Sequence, residues 1–277
     1  MTFIQKLTAI QKNNNSLLCI GLDTDIAKIP SSLKHHPDCQ LEFNKQIIES
    51  TKDFVCAYKL NLAFYEAAGK RGYETIQATL ECIPRNIITI ADGKRGDIGN
   101  TAEQYAKSIF YDWKFDAATV NPYMGKDSVE PFIQDENHCA IILALTSNAG
   151  SRDFQYLDVN GRPLYEHVIA HTIKWNVRNN IGLVVGATHG TELQRIRTMV
   201  PDMPVLLPGI GAQQGDVESA VRFGCNRAGN LAMINLSRSI IYASRGDDFA
   251  MRAHAEGMRM RDRFNTFREK YFSSLHD

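Results

Sequence analysis

Eight short apolar runs recur along this chain, and they limit its fold more than any other feature. They cover residues 17–22, 54–59, 87–92, 117–120, 140–145, 181–185, 205–207 and 231–235. The runs are rich in Ile, Val, Leu and Ala and do not alternate apolar with polar residues. That is the pattern of parallel strands covered on both faces. Amphipathic stretches of helical period fill the gaps, for example 40–51, 101–109, 164–176 and 216–223, and a charged amphipathic helix is expected over 247–270. Parallel neighbours need a crossover between them, and a helix is the usual one. Eight strand–helix units in a chain of 277 residues match an α/β fold of the closed (β/α)8, or TIM barrel, type. An open doubly wound sheet is the alternative. No linker, low-complexity segment or further repeat interrupts the pattern, so one domain is expected over residues 1–277.

The third run ends in charge. Asp92, Lys94 and Asp97 follow Ile87–Ile90 within the segment ADGKRGDIGNT. Side chains two apart on a strand share a face, so Asp92 and Lys94 should project together, with Asp97 on the loop beyond. Carboxylates held close together cost free energy, which makes such a cluster a candidate for chemistry rather than packing. Thr101 and Gln104 have the spacing of a capping box opening the next helix.

Barrels of this kind carry their sites at the C-terminal ends of the strands. Asp23 follows run one, Lys59 and Asn61 end run two, and Ser147 follows run five. Run seven leads into Pro208 and a glycine-rich segment, 209–215, containing Gln213 and Gln214; run eight leads into Ser237 and Arg238. Glycine lets backbone N–H groups approach an anion, a following helix N-terminus favours negative charge, and an Arg fork matches phosphate. Loops seven and eight together therefore point to a bound phosphate.

Composition narrows the class by exclusion. Lys+Arg and Asp+Glu both number 31, so the formal net charge is zero and nothing suggests a nucleic-acid or membrane surface. No apolar run approaches the roughly 20 residues that span a bilayer, and residues 1–17 lack a signal-peptide core. Six cysteines are scattered without CxxC spacing and read as buried thiols. A cytoplasmic protein is expected. His167 and His171 are four apart on a helix, but no third ligand is evident and no metal site is expected.

The string Asp92-x-Lys94-x-x-Asp97-Ile98-x-x-Thr101, continued by Ala102, Tyr105 and Ala106, resembles the signature of the orotidine 5'-phosphate decarboxylases, in particular their bacterial type 2 branch. The other matches spread from Asp23 to Arg238. The resemblance implies decarboxylation of orotidine 5'-monophosphate to UMP, the last step of de novo pyrimidine synthesis, without metal or organic cofactor. It implies a charged network of Lys59, Asp92, Lys94 and Asp97. Asp92 would repel the substrate carboxylate, and Lys94 would protonate C6. Asp23 and Lys59 would bind ribose, Ser147 the pyrimidine edge, and Gln213 and Arg238 the phosphate, with Pro208, Ile98 and Thr101 also at the substrate. Asp97, Ile98 and Thr101 would reach into a second subunit, giving a homodimer with shared sites. The 209–215 segment would close over the phosphate. Many relatives carry Gly where this chain has Ser237. Two rivals share the barrel: a metal-assisted enzyme acting on a keto-sugar phosphate, and a catalytically silent nucleotide-binding barrel. The first would want a metal ligand where Lys59 stands; the second need not keep the Asp-Lys-Asp array.

Overall fold

The computed structural model describes residues 1–186, 190–210 and 214–272. Eight parallel strands close on themselves, each paired with its chain neighbour and the last with the first. They are β1 (Leu18–Gly21), β2 (Ala57–Asn61), β3 (Ile88–Arg95), β4 (Ala117–Val120), β5 (Cys139–Leu145), β6 (Ile181–Val185), β7 (Val205–Leu207) and β8 (Ala232–Leu236). Closure excludes the open sheet. It also explains the apolar runs: β1, β4, β6, β7 and β8 are buried at every position. Side chains of one face fill the barrel, and those of the other meet the surrounding helices.

Strand limits differ from the sequence expectation where neighbours decide them. β2 starts three residues later than expected, because Lys52–Phe54 form a 3-10 turn, and it runs on to Asn61, paired with Asp92. β3 continues past its charged residues to Arg95, which pairs with Val120. An unexpected two-stranded hairpin, Asp158–Val159 with Arg162–Pro163, turns through Asn160 and Gly161, both at positive φ. Asn-Gly is the residue pair such turns favour.

The first and last helices are packed onto the barrel. Helix α1 (Phe3–Asn13) is opened by a Thr2/Gln5 capping box and buries Phe3, Leu7 and Ile10. Its Gln11, 1% exposed, donates to the carbonyl of Ala232 and accepts from Leu231 N–H, both at the N-terminal end of β8. This helix therefore sits at the barrel floor, and the strand C-termini open at the other end. The long helix α8 (Phe249–Phe272) packs Phe249, Ala253, Met260, Phe264 and Phe267 inward and keeps a charged outer face. Between them, α2 (Cys39–Thr51), α3 (Lys70–Cys82), α4 (Gly99–Lys107), α5 (Leu164–Trp175), α6 (Gly190–Met199) and α7 (Gln214–Gly224) cover the strands.

Helix α4 corrects one expectation. It begins at Gly99, two residues before Thr101, and Ile98 at its N-cap supplies no side-chain bond. Gly99 adopts φ +55°, a left-handed turn that glycine makes without strain and that ends the loop early. Thr101 is left inside the first turn, exposed, and the Thr101/Gln104 capping box does not form.

Candidate active site

Strand register assembles charges that are far apart in sequence. Lys59 pairs with Gly21 across β1–β2, two residues from Asp23, and Asn61 pairs with Asp92 across β2–β3. The Lys59 ammonium lies 3.2 Å from Asp23 Oδ1 and 2.9 Å from Asp92 Oδ2. Lys94 Nζ lies 2.7 Å from Asp92 Oδ1. The result is an alternating row, Asp23–Lys59–Asp92–Lys94, at the mouth of the barrel.

Burial grades along this row. Lys59 is 3% exposed, whereas half of the Lys94 side chain faces solvent. Burial opposes the Lys59 charge, but Asp23 and Asp92 outweigh it and hold the ammonium well above its ordinary range. Burial likewise pushes Asp92 up, but Lys59 and Lys94 overcome it and hold its carboxyl at about 2. Asp92 is therefore a fixed anion at neutral pH, and its deep partner Lys59 a fixed cation.

Lys94 reaches Asp92 by an irregular route. It adopts φ +45°, uncommon for a residue with a side chain, and the β3–β4 register shifts between Ala91 and Arg95. Simple alternation along a strand predicted the meeting of Asp92 and Lys94; a bulge brings it about. Arg95 turns away from the row, pairs with Glu66 and stacks over the Tyr105 ring at 5.3 Å.

The rest of the mouth includes the described parts of the loops after β5, β7 and β8. Ser147 is exposed where three loops meet: a Cβ built on Gly186 would come within 2.9 Å of Ser147 Cβ, and one on Gly209 within 3.1 Å of Ser147 Oγ. Pro208 follows β7 half-buried, and Gly209 takes φ +85°. Helix α7 already starts at Gln214, so the glycine-rich segment is shorter than the expected 209–215. Gln213 lies outside the described residues. Arg238 opens the short helix Arg238–Ile241 and is exposed, and its guanidinium makes no hydrogen bond or ion pair among the described residues. Charged groups at the ends of β1, β2 and β3 thus share one barrel mouth with the start of α7 and an open guanidinium.

The sequence model described as "Orotidine 5'-phosphate decarboxylase / HUMPS family" matches residues 16–252. This chain belongs to that family. Orotidine 5'-phosphate decarboxylase of Dehalococcoides mccartyi is 48% identical over 275 residues, 98% of this chain and all of the relative. The enzyme of that name from Azoarcus sp. is 45% identical over 272 residues, 97% of this chain and all of the relative. The solved structure of Leishmania donovani OMP decarboxylase superposes with a TM-score of 0.84 at 35% identity, covering 97% of this chain and 99% of that one. Leishmania donovani UMP synthase gives 0.85 at 37% identity, with 97% of this chain matched to 57% of that one.

Not every residue named from the sequence joins the row. Asp97 makes no ion pair among the described residues; its Oδ1 accepts from Ile98 N–H at 2.9 Å. Ile98 is 54% exposed beside it, and Thr101 is exposed as well. His167 lies 2.9 Å from the carbonyl oxygen of Val159, tied to the hairpin. One contributor escaped sequence reading: Thr119, on β4 and 1% exposed, donates to Asp92 Oδ1 at 3.0 Å. Its only sequence signal is a hydroxyl inside an otherwise apolar strand.

Proposed function

We propose that the Asp23–Lys59–Asp92–Lys94 row carries out the decarboxylation of orotidine 5'-monophosphate to UMP. The observation that carries this reading is a carboxylate held at about 2 and bonded to an ammonium that is half open to the barrel mouth. The reaction must form a carbanion at C6 with no neighbouring electron sink. A fixed anion placed at the substrate carboxylate raises the bound state, and the strain falls as CO2 leaves. A cation at C6 stabilises the developing charge and then supplies the proton. Asp92 and Lys94 take these two parts. Lys59 holds Asp92 from below, and with Asp23 it meets the ribose. Ser147 meets the pyrimidine edge, and Pro208, Gln213 and Arg238 hold the rest of the nucleotide, the last two at its phosphate. Phosphate binding at this distance from the breaking bond drives loop closure and so raises the rate. The carboxylates of Asp23 and Asp92 are already engaged by Lys59, so the donor set suits a reaction run by charge and not one run by a metal.

The active form is a homodimer of one-domain subunits. Asp97, Ile98 and Thr101 complete the partner's site; the exposure of Ile98, at 54%, of Thr101, and of Met124, at 45% and close to Gly96, supports this. No helix among the described residues is long and apolar enough to cross a membrane. A cytoplasmic location accords with the enzyme's place in nucleotide synthesis.

The test is loss of orotidine 5'-monophosphate absorbance on adding the protein, with and without EDTA, for the natural chain and Lys94→Ala. Turnover by the natural chain should be indifferent to EDTA. The variant should lose at least about 10³-fold in kcat, the range of a positioned proton donor plus its charge, yet still bind UMP. Turnover surviving in the variant removes Lys94 from its role. EDTA-sensitive or absent turnover moves the site to a keto-sugar phosphate.

A further inference from the structure

We propose that Thr119 is a positioning residue for this reaction, whose single hydroxyl sets both the Asp92 carboxylate and the Lys94 backbone. The β3–β4 ladder pairs Ala91 with Ala118, and its next pairing is Arg95 with Val120. Three residues of β3, namely Asp92, Gly93 and Lys94, therefore stand opposite one residue of β4, Thr119. A bulge of this size leaves backbone groups without ladder partners. The Thr119 hydroxyl fills that gap: its oxygen accepts from Lys94 N–H at 2.9 Å and donates to Asp92 Oδ1 at 3.0 Å.

The direction of these bonds is forced. A hydroxyl has one hydrogen, and an ionised carboxylate only accepts. With the amide giving its proton to Oγ1, the hydroxyl hydrogen must point at Asp92. The chain N–H to O–H to carboxylate then runs one way, and each bond polarises the next. Thr119 is 1% exposed, so no water competes for its hydroxyl at that point.

The arrangement matters because the other bond to Asp92 Oδ1 comes from Lys94 Nζ. That ammonium is the group that changes charge as it gives up a proton. Thr119 is neutral throughout and keeps Oδ1 in place while Lys94 reacts. It also holds Lys94 at φ +45°, a conformation the residue would leave unless its surroundings impose it. Without the hydroxyl, both reacting groups would loosen together, and displacement of about 1 Å at such a site costs on the order of 10²-fold in rate.

The inference rests on the roles proposed for Asp92 and Lys94, and the two fail differently. If the natural chain does not turn over orotidine 5'-monophosphate, the functional reading fails; if it does, the Thr119 variants decide this one. Thr119→Val keeps the shape and removes the hydroxyl, Thr119→Ser keeps the hydroxyl, and Thr119→Cys offers a weak donor and acceptor. Each is assayed for kcat, KM, UMP affinity and melting temperature. The expected order of kcat is Thr, Ser, Cys, Val, with Val down on the order of 10²-fold and Ser within about fivefold, while KM and UMP affinity move by less than about threefold. The acid limb of the kcat profile should rise in Val, because Asp92 loses a bond that favours its charged form. Natural kcat in Thr119→Val overturns the proposal. So does an equal loss in Ser and Val, or a loss appearing in KM with kcat intact. If Val does not fold, Ser and Cys still decide: Cys at or above Ser overturns it.

Discussion

A lysine as deeply buried as Lys59 stays charged only because two carboxylates meet it, and those carboxylates are tolerated because the lysine is there. Removing one member of such a row leaves an uncompensated charge, so each residue guards the others. Asp92 makes this measurable through pH. Its carboxyl sits at about 2 in the fold against an ordinary 3.8. A depressed carboxyl contributes stability that is fully present above its unfolded value and is lost as pH falls through its folded value. The shift corresponds to about 2 kcal/mol. Urea unfolding at stepped pH should therefore show that contribution draining away between about pH 4 and pH 2, and Asp92→Asn should lack this part of the slope. An Asp92→Asn profile parallel to that of the natural chain over this interval would mean that Asp92 is not held down in the fold.

At the scale of elements, the site depends on where strands end. The end of β1 lies directly against the loop after β8, through Gly21 and Ser237. A Cβ on Gly21 would overlap Ser237 Oγ and stand 3.0 Å from its Cβ and 3.2 Å from Asn235 Oδ1. A serine hydroxyl can rotate, but its Cβ and the strand beneath it have little room. Gly21→Ala should then push aside the turn that starts at Arg238. The expected result is destabilisation of about 1–3 kcal/mol, the usual cost of overpacking, with a several-fold rise in KM for the nucleotide. Pairing it with Ser237→Gly removes the obstructing side chain and should restore both quantities. Failure of the double variant to recover would show that contact with Ser237 is not the cause. This chain keeps serine at 237 and leaves the space at position 21.

At the scale of the whole molecule, the role proposed for Asp97 depends on the proposed second subunit. Within one chain it stands outside the charged row, next to exposed Ile98. In a two-fold dimer the same patch serves both copies, so each subunit can lend Asp97 to the other's site. Asp97→Ala and Lys94→Ala should each be nearly inactive as pure dimers. Unfolded together and refolded at equal amounts, they should form mixed dimers in which one site carries both natural residues and the other neither. Random pairing predicts recovery of about a quarter of the natural activity. No recovery from mixtures shown to contain mixed dimers would place Asp97 in the site of its own chain.

The barrel was legible because burial on both faces of a strand writes itself into consecutive residues: eight unalternating apolar runs need no knowledge of their partners. Asp92 and Lys94 were legible for a similar local reason, as charges at the end of such a run. Loops seven and eight could be proposed for a phosphate from the sequence, since strand count alone places them at the mouth. What the runs could not carry is register. The meeting of Lys59 with Asp23, 36 residues away, depends on which residues of β1 and β2 pair. The bulge in β3 depends on β4, so the left-handed Lys94, the hydroxyl of Thr119 and the extension of β3 to Arg95 had no local signature. The same holds for the early start of α4, where one glycine's φ outweighed the Thr101/Gln104 spacing. Local pattern settles which residues are strands and which carry charge; long-range pairing settles which atoms touch, and in this protein the chemistry is a matter of which atoms touch.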